Sequence, residues 1–153
     1  WRPVLLGGIF KATGNSGPAF TVASKMPYMF KDLERLVTHY HLPFAMPAHF
    51  PANTVTVQRL LCAASDSERA ALSLKLYHAY WGQGKDITNV ELLTELAGAE
   101  LVAKTQDEAI KNQLKANTEE AVARGAFGAP TFFVGDEMYF GEDRLFLIHE
   151  AIK

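Results

Sequence analysis

The run Gly125-Ala126-Phe127-Gly128-Ala129-Pro130-Thr131-Phe132-Phe133-Val134 puts a proline at the mouth of a β-rich stretch, behind a glycine-rich approach. Two readings of Pro130 stay open on pattern alone. It simply begins a strand, or the Ala129–Pro130 bond is cis and the Ala129 N–H and C=O turn outward, where they can pair with a ligand's backbone like an added strand. A second stretch, Phe140-Gly141-Glu142-Asp143-Arg144, opens the last helix. Free N–H groups there, helped by the helix dipole, can hold a carboxylate, while the Asp143 side chain accepts from an ammonium group. The plain alternative is an ordinary N-cap. A third stretch, Lys11-Ala12-Thr13-Gly14-Asn15, is polar and follows an apolar segment, offering a cation and an amide, or else a solvated turn.

Other reactive side chains carry less. His39 and His41 are two residues apart and cannot share a helix face, and His49, His78 and His149 have no HxxxH or HxxE neighbour, so no metal site is expected. Cys62 falls on the apolar side of its helix and reads as a small buried hydrophobe. The aromatics Tyr28, Phe30, Tyr40, Tyr77, Tyr80 and Trp81 lack interleaved basic residues and read as core rather than as a base-stacking platform.

The elements that must position these groups can be read from periodicity. Val4 to Leu6, ahead of Gly7-Gly8, is expected to be a buried strand, and residues 11–24 a loop. Pro27 sits in the first turn of a helix reaching about Tyr40, with Met29, Leu33, Leu36, Val37 and Tyr40 on one side. Pro43, Pro47 and Pro51 make His41 to Ala52 an extended connector. Asn53 is expected to cap a helix to about Ala64, and Ser65-x-x-Glu68 to open another that buries Ala71, Leu74 and Tyr77 before Gly82 and Gly84 stop it. Thr88-x-x-Glu91 and Thr105-x-x-Glu108 predict further helices to about Ala97 and Arg124. Thr131 to Val134 and Glu137 to Phe140 then form a hairpin about Gly135-Asp136, and Asp143 caps a final helix with Leu145, Ile148 and Ile152 on one side.

Composition bounds the function classes. Of 153 residues 48% are apolar and 21% charged, which supplies a core and argues against disorder. Fifteen basic against seventeen acidic side chains give a net charge of −2, against a nucleic-acid-binding surface spread over the chain. The single Cys62 excludes an internal disulfide, a CxxC pair and a Cys-rich zinc site within these residues, and suits a reducing, cytoplasmic setting. No apolar run reaches about 18 residues, so no membrane span is expected.

Four blocks in order, GGIFKATGN, KMPYMFKDLERLVTHYHLPF, AYWGQGKDI and GAFGAPTFFVGDEMYFGEDRL, together closely resemble the 2-hydroxychromene-2-carboxylate isomerase family, relatives of kappa-class glutathione transferases in the DsbA-like branch of thioredoxin folds. The resemblance covers the chain from Trp1 to Lys153. It implies an α/β, thioredoxin-like fold with a large all-helical insertion: residues 1–24 and 105–153 in the thioredoxin-like domain, 25–104 in the insertion. It implies glutathione as cofactor and a glutathione-dependent isomerase acting by thiolate addition, bond rotation and elimination on an unsaturated aromatic keto-acid. By resemblance, Ala129 before Pro130 pairs with the cysteinyl part of glutathione, Glu142 and Asp143 hold its γ-glutamyl end, Asn15 sits beside it, and Lys11 and Trp81 line the substrate cleft. A small-molecule substrate and a homodimer follow from the same resemblance.

The family's activating serine lies in a first strand–helix unit that has no counterpart in this sequence, and neither Ser16 nor Ser24 takes its place. The catalytic residue is therefore unassigned, and the natural protein is expected to carry about 30–35 residues before Trp1, enough for one strand and its crossover helix. Two other readings share the same frame. A kappa-like glutathione transferase or peroxidase would use the same binding residues, and a DsbA-like thiol–disulfide oxidoreductase would need a CxxC in that preceding unit.

Overall fold

In the computed structural model, which describes residues 1–15 and 22–153, the chain enters as an extended segment and turns at once into helix α1 (Leu6–Thr13). This corrects the strand expected at Val4 to Leu6 and the loop expected from residue 11; residues 16–21 of that loop, Ser16 among them, lie outside the described residues. Gly7 and Gly8 do not break α1 because packing outweighs their propensity cost of about 1 kcal/mol each. Ile9 is 1% exposed, and a Cβ on Gly8 would stand 3.0 Å from Thr118 Cγ2, so glycine lets this helix approach its neighbour closely. The Leu5 amide also donates to Thr118 Oγ1 at 3.0 Å.

Helix α2 (Lys25–His39) forms near the predicted place, but none of its residues is buried. Met29, Leu36 and Tyr40, expected to face the core, are exposed. The connector after it is extended and includes a cis Phe50–Pro51 bond. Asn53 Oδ1 accepts from the Val55 amide at 3.1 Å but does not cap α3 (Val55–Ala63), whose N-cap is Thr54 and whose Val57, Leu60 and Leu61 are buried.

The next helix, α4 (Asp66–Tyr77), corrects the expected stripe by one position. Leu72 and Leu76 are buried, whereas Ala71, Leu74 and Tyr77 are exposed. The stripe Leu72–Leu76–Tyr80 runs on into a single π-helical turn, His78–Gly82. Arg69 ties α4 to α3: its guanidinium donates to Leu61 O at 2.8 Å and Ala64 O at 2.9 Å and pairs with Asp66 at 2.6 Å. Those carbonyls end α3 and would otherwise lack partners.

Helices α5 (Val90–Ala97), α6 (Ala99–Lys104) and α7 (Glu108–Ala123) complete the block. Two further predicted caps shift by one or two residues. Asn89, not Thr88, caps α5 by accepting from the Leu92 amide at 2.8 Å, because Thr88 is already bonded to Asp86. Thr105 closes α6, its hydroxyl donating to Val102 O at 2.7 Å, and Asp107 precedes α7. The main core joins Val57, Leu60, Leu61, Ala64, Leu72, Leu76, Tyr80, Ile87 and Leu93, all within the helical block.

Strands β1 (Thr131–Val134) and β2 (Glu137–Phe140) form the antiparallel hairpin with the predicted limits and the register Thr131↔Phe140 to Val134↔Glu137. Gly135, at φ 59°, takes the first turn position, where a left-handed backbone favours glycine. Arg124 clamps the turn by donating to Gly135 O at 2.6 Å while its guanidinium lies 3.8 Å above the Phe133 ring. A 3-10 turn (Glu142–Arg144) leads into α8 (Leu145–Ala151), where Leu145 and Ile152 are exposed.

Candidate functional site

Helix α1 ends at Gly14, whose left-handed backbone (φ 71°) turns the chain so that Asn15 reaches the segment before β1. Its side-chain Nδ2 donates to the Phe127 carbonyl at 3.0 Å, across 112 positions of sequence. Two of the three stretches singled out by residue type therefore meet at one place. The third joins them from the far end of the hairpin, because the Gly141 amide donates to the Pro130 carbonyl at 3.0 Å. That bond sets the 3-10 turn carrying Glu142 and Asp143 against the Ala129–Pro130 segment.

The segment itself is tightly built. The Thr131 hydroxyl donates to the Gly128 carbonyl at 2.8 Å. A Cβ on Gly128 would stand 2.9 Å from the Phe140 ring, so only glycine fits under that aromatic. Phe127 packs on the same ring with centroids 4.5 Å apart. The Ala129–Pro130 peptide bond is cis, and both residues are exposed.

Asp143 does not cap the last helix. Gly141 is the residue that enters the 3-10 turn, no side chain caps it, and α8 follows from Arg144. The Asp143 carboxylate instead pairs with the Arg144 guanidinium at 2.6 Å and stays 67% exposed. Glu142 is exposed beside it. The turn thus presents two carboxylates and two main-chain polar groups to solvent, a set suited to an ammonium group attached to a peptide-like chain.

Lys11 is exposed on the last turn of α1, four residues before Asn15. Trp81 lies elsewhere. Its ring packs with Phe44, Phe50 and Tyr80 at centroid distances of 6.2, 5.6 and 4.9 Å, and its carbonyl accepts from the Ala45 amide at 2.7 Å. Among the described residues no ring contact or hydrogen bond joins Trp81 to the Ala129 turn.

Cys62 is half-buried rather than fully enclosed and borders a hollow of about 230 Å³ with Arg2, Pro3, Asp66, Arg69, Gln113 and Asn117. Burial pushes its thiol up from the ordinary value, and the nearby Arg69 and Arg2 offset this only in part. An elevated thiol pKa does not suit a nucleophile. The polar members of this hollow are engaged with one another: Asn117 accepts from Arg2 Nε at 3.1 Å and donates to Pro3 O at 3.1 Å. Residue-type reasoning missed this network because its members lie far apart in sequence. Among the described residues no group of His, Cys, Asp and Glu is placed to hold a metal, and no helix is long and apolar enough to cross a membrane.

The model of the DSBA-like thioredoxin domain matches residues 1–153. The chain belongs to the DSBA-like thioredoxin domain family. It is 30% identical to a 2-hydroxychromene-2-carboxylate isomerase of Pseudomonas putida, over 92% of this chain and 72% of the relative. It is 33% identical to glutathione S-transferase kappa 1 of Rattus norvegicus, over 96% of this chain and 74% of the relative. A solved 2-hydroxychromene-2-carboxylate isomerase superposes with a TM-score of 0.84 at 28% identity, covering 97% of this chain and 76% of that one. The fold is therefore the DsbA-like thioredoxin fold, rich in helix and with a small sheet.

Proposed function

We propose that the Ala129 turn binds glutathione and that the protein is a glutathione-dependent isomerase of the 2-hydroxychromene-2-carboxylate type. The observation that carries this reading is the convergence of Asn15, Ala129–Pro130 and Glu142–Asp143 on one turn, held by the Asn15–Phe127 and Gly141–Pro130 hydrogen bonds. Relatives named as 2-hydroxychromene-2-carboxylate isomerases support it.

The residues present fit the cofactor by their chemistry. Ala129 offers an exposed N–H and C=O to the cysteinyl main chain of a tripeptide. The Glu142 and Asp143 carboxylates accept from the γ-glutamyl ammonium, and the Arg144 guanidinium beside Asp143 can turn toward the adjacent carboxylate. Asn15 stands next to both the turn and the end of α1, where Lys11 supplies a cation for the carboxylate of an acidic substrate. Trp81 enters only through the resemblance, as an aromatic wall of the substrate cleft.

Bound glutathione would supply a thiolate nucleophile, the chemistry suited to opening the stiff double bond of an unsaturated keto-acid to rotation. The chain's own residues bind and orient it. Residues 1–24 and 105–153 form the cofactor-binding domain on this reading, with 25–104 as the inserted helical domain, and the protein works as a cytoplasmic homodimer.

A kappa-like transferase is the second reading, favoured by the 33% identity to the rat kappa enzyme. Calorimetry with glutathione, followed by turnover of 2-hydroxychromene-2-carboxylate and of a chloro-nitroaromatic by the full-length protein, separates the cases. Saturable binding with isomerisation of the chromene carboxylate is the expected result. Binding with conjugation alone selects the transferase, and no binding at all removes both.

A further inference from the structure

Four successive carbonyls, from Phe127 to Pro130, cross the candidate site, and three of them are occupied from within the protein. Phe127 O accepts from Asn15 Nδ2 at 3.0 Å, Gly128 O from the Thr131 hydroxyl at 2.8 Å, and Pro130 O from the Gly141 amide at 3.0 Å. Among the described residues no hydrogen bond engages the Ala129 N–H or C=O, and Ala129 is exposed. Main-chain polar groups have strong hydrogen-bonding demands, and a turn with free neighbours could present any of several to a ligand. Here the neighbouring carbonyls are withdrawn. We infer that Thr131 and Asn15 are positioning residues that clamp this turn and leave the Ala129 peptide groups as its single pair open to a ligand's main chain.

Thr131 suits this task by its place. It is the first residue of β1, paired with Phe140, so its backbone is fixed by the hairpin. Its hydroxyl folds back three residues to Gly128 O, inside a loop whose Gly128 is packed under the Phe140 ring. Asn15 clamps the same loop from α1, outside the hairpin. The two side chains act on adjacent carbonyls from opposite parts of the chain, which restrains rotation of the 127–128 and 128–129 peptide planes.

This inference rests on the glutathione reading for its ligand, yet its clamp is testable without one. The experiment compares wild type, Thr131→Val and Thr131→Ser on the full chain, by amide NMR of the ligand-free protein and by calorimetry with glutathione. Thr131→Val keeps the β-branched shape and loses the donor, and Thr131→Ser keeps the donor. In Thr131→Val the Gly128 and Ala129 amides should shift and broaden while the amides of 132–134 and 137–139 stay in place, and glutathione should bind about threefold to tenfold more weakly, the loss one hydrogen bond carries. Thr131→Ser should restore both to within about twofold of wild type.

Unmoved Gly128 and Ala129 amides in Thr131→Val overturn the clamp whatever glutathione does. Displaced amides in a protein whose wild type binds no glutathione uphold the clamp and sink the ligand assignment instead. Should Thr131→Val fail to fold, Asn15→Ala gives the same readout from the other side, with Phe127 and Gly128 amides expected to move.

Discussion

Asp143→Ala is the perturbation whose size the structure constrains well. The carboxylate is 67% exposed and pairs with Arg144 Nη1 at 2.6 Å, so its contact with a ligand ammonium would lie at the water interface. Ion pairs in that setting contribute about 0.2–1 kcal/mol, because solvent screens the attraction and two side chains must be ordered. One further effect adds to the loss. Removing the carboxylate frees the Arg144 guanidinium, leaving an uncompensated cation beside the ammonium. Together these give about a twofold to tenfold weakening of glutathione. Calorimetry of wild type, Asp143→Ala and Asp143→Asn at low and high salt measures it. Both variants should weaken binding, with the difference shrinking as salt rises, since exposed charges are screened. Unchanged affinity in both variants would refute the placing of the γ-glutamyl end. A loss beyond about a hundredfold would contradict a solvent-screened contact.

Three further outcomes follow from the packing. Arg69→Leu strips partners from Leu61 O and Ala64 O, and should cost about 2–4 kcal/mol in denaturant unfolding; a loss below about 1 kcal/mol would show those carbonyls rehydrate. Leu60→Ala, at a position 0% exposed, should cost about 2–5 kcal/mol, checked by the urea midpoint, and a cost under 1 kcal/mol would contradict its central place in the core. Cys62, with its thiol pKa raised by burial, should react with iodoacetamide at pH 8 more slowly in the native than in the unfolded protein. The sign follows from ionisation: a thiol raised on folding holds its proton to higher pH, so the native form contributes less thiolate below that point and stability falls as pH rises past the unfolded value. Faster native labelling would make Cys62 a reactive site.

Much of the hairpin was legible because β-branched and aromatic residues, a glycine turn and a two-residue connection all favour one register. The site stretches were legible as polar sequences at element ends. Their meeting was not, since the Asn15–Phe127 bond links residues 112 positions apart and no local pattern encodes it. Helix α1 departs from the expected strand because Gly7-Gly8 normally punctuates, whereas here Gly8 allows close contact with Thr118. The burial phase of α4 slipped by one because both Leu72–Leu76 and Leu74–Tyr77 present apolar spacing, and the choice between them was made by Tyr80 in the π turn and by the partners on α3. Helix α2 carries an amphipathic pattern that local periodicity read as core-facing, yet none of its side chains is buried. Asp143 looked like a cap by type, but Gly141 enters the turn first and leaves the carboxylate to Arg144.

The most direct test is a titration of isotopically labelled full-length protein with reduced glutathione, followed at the amides of Ala129, Glu142 and Asp143 and at the Asn15 side-chain NH₂. Saturable shifts at these positions, sharing one dissociation constant and sparing the amides of α2, are the predicted result. Saturation that moves other parts of the chain and leaves Ala129 untouched would contradict it.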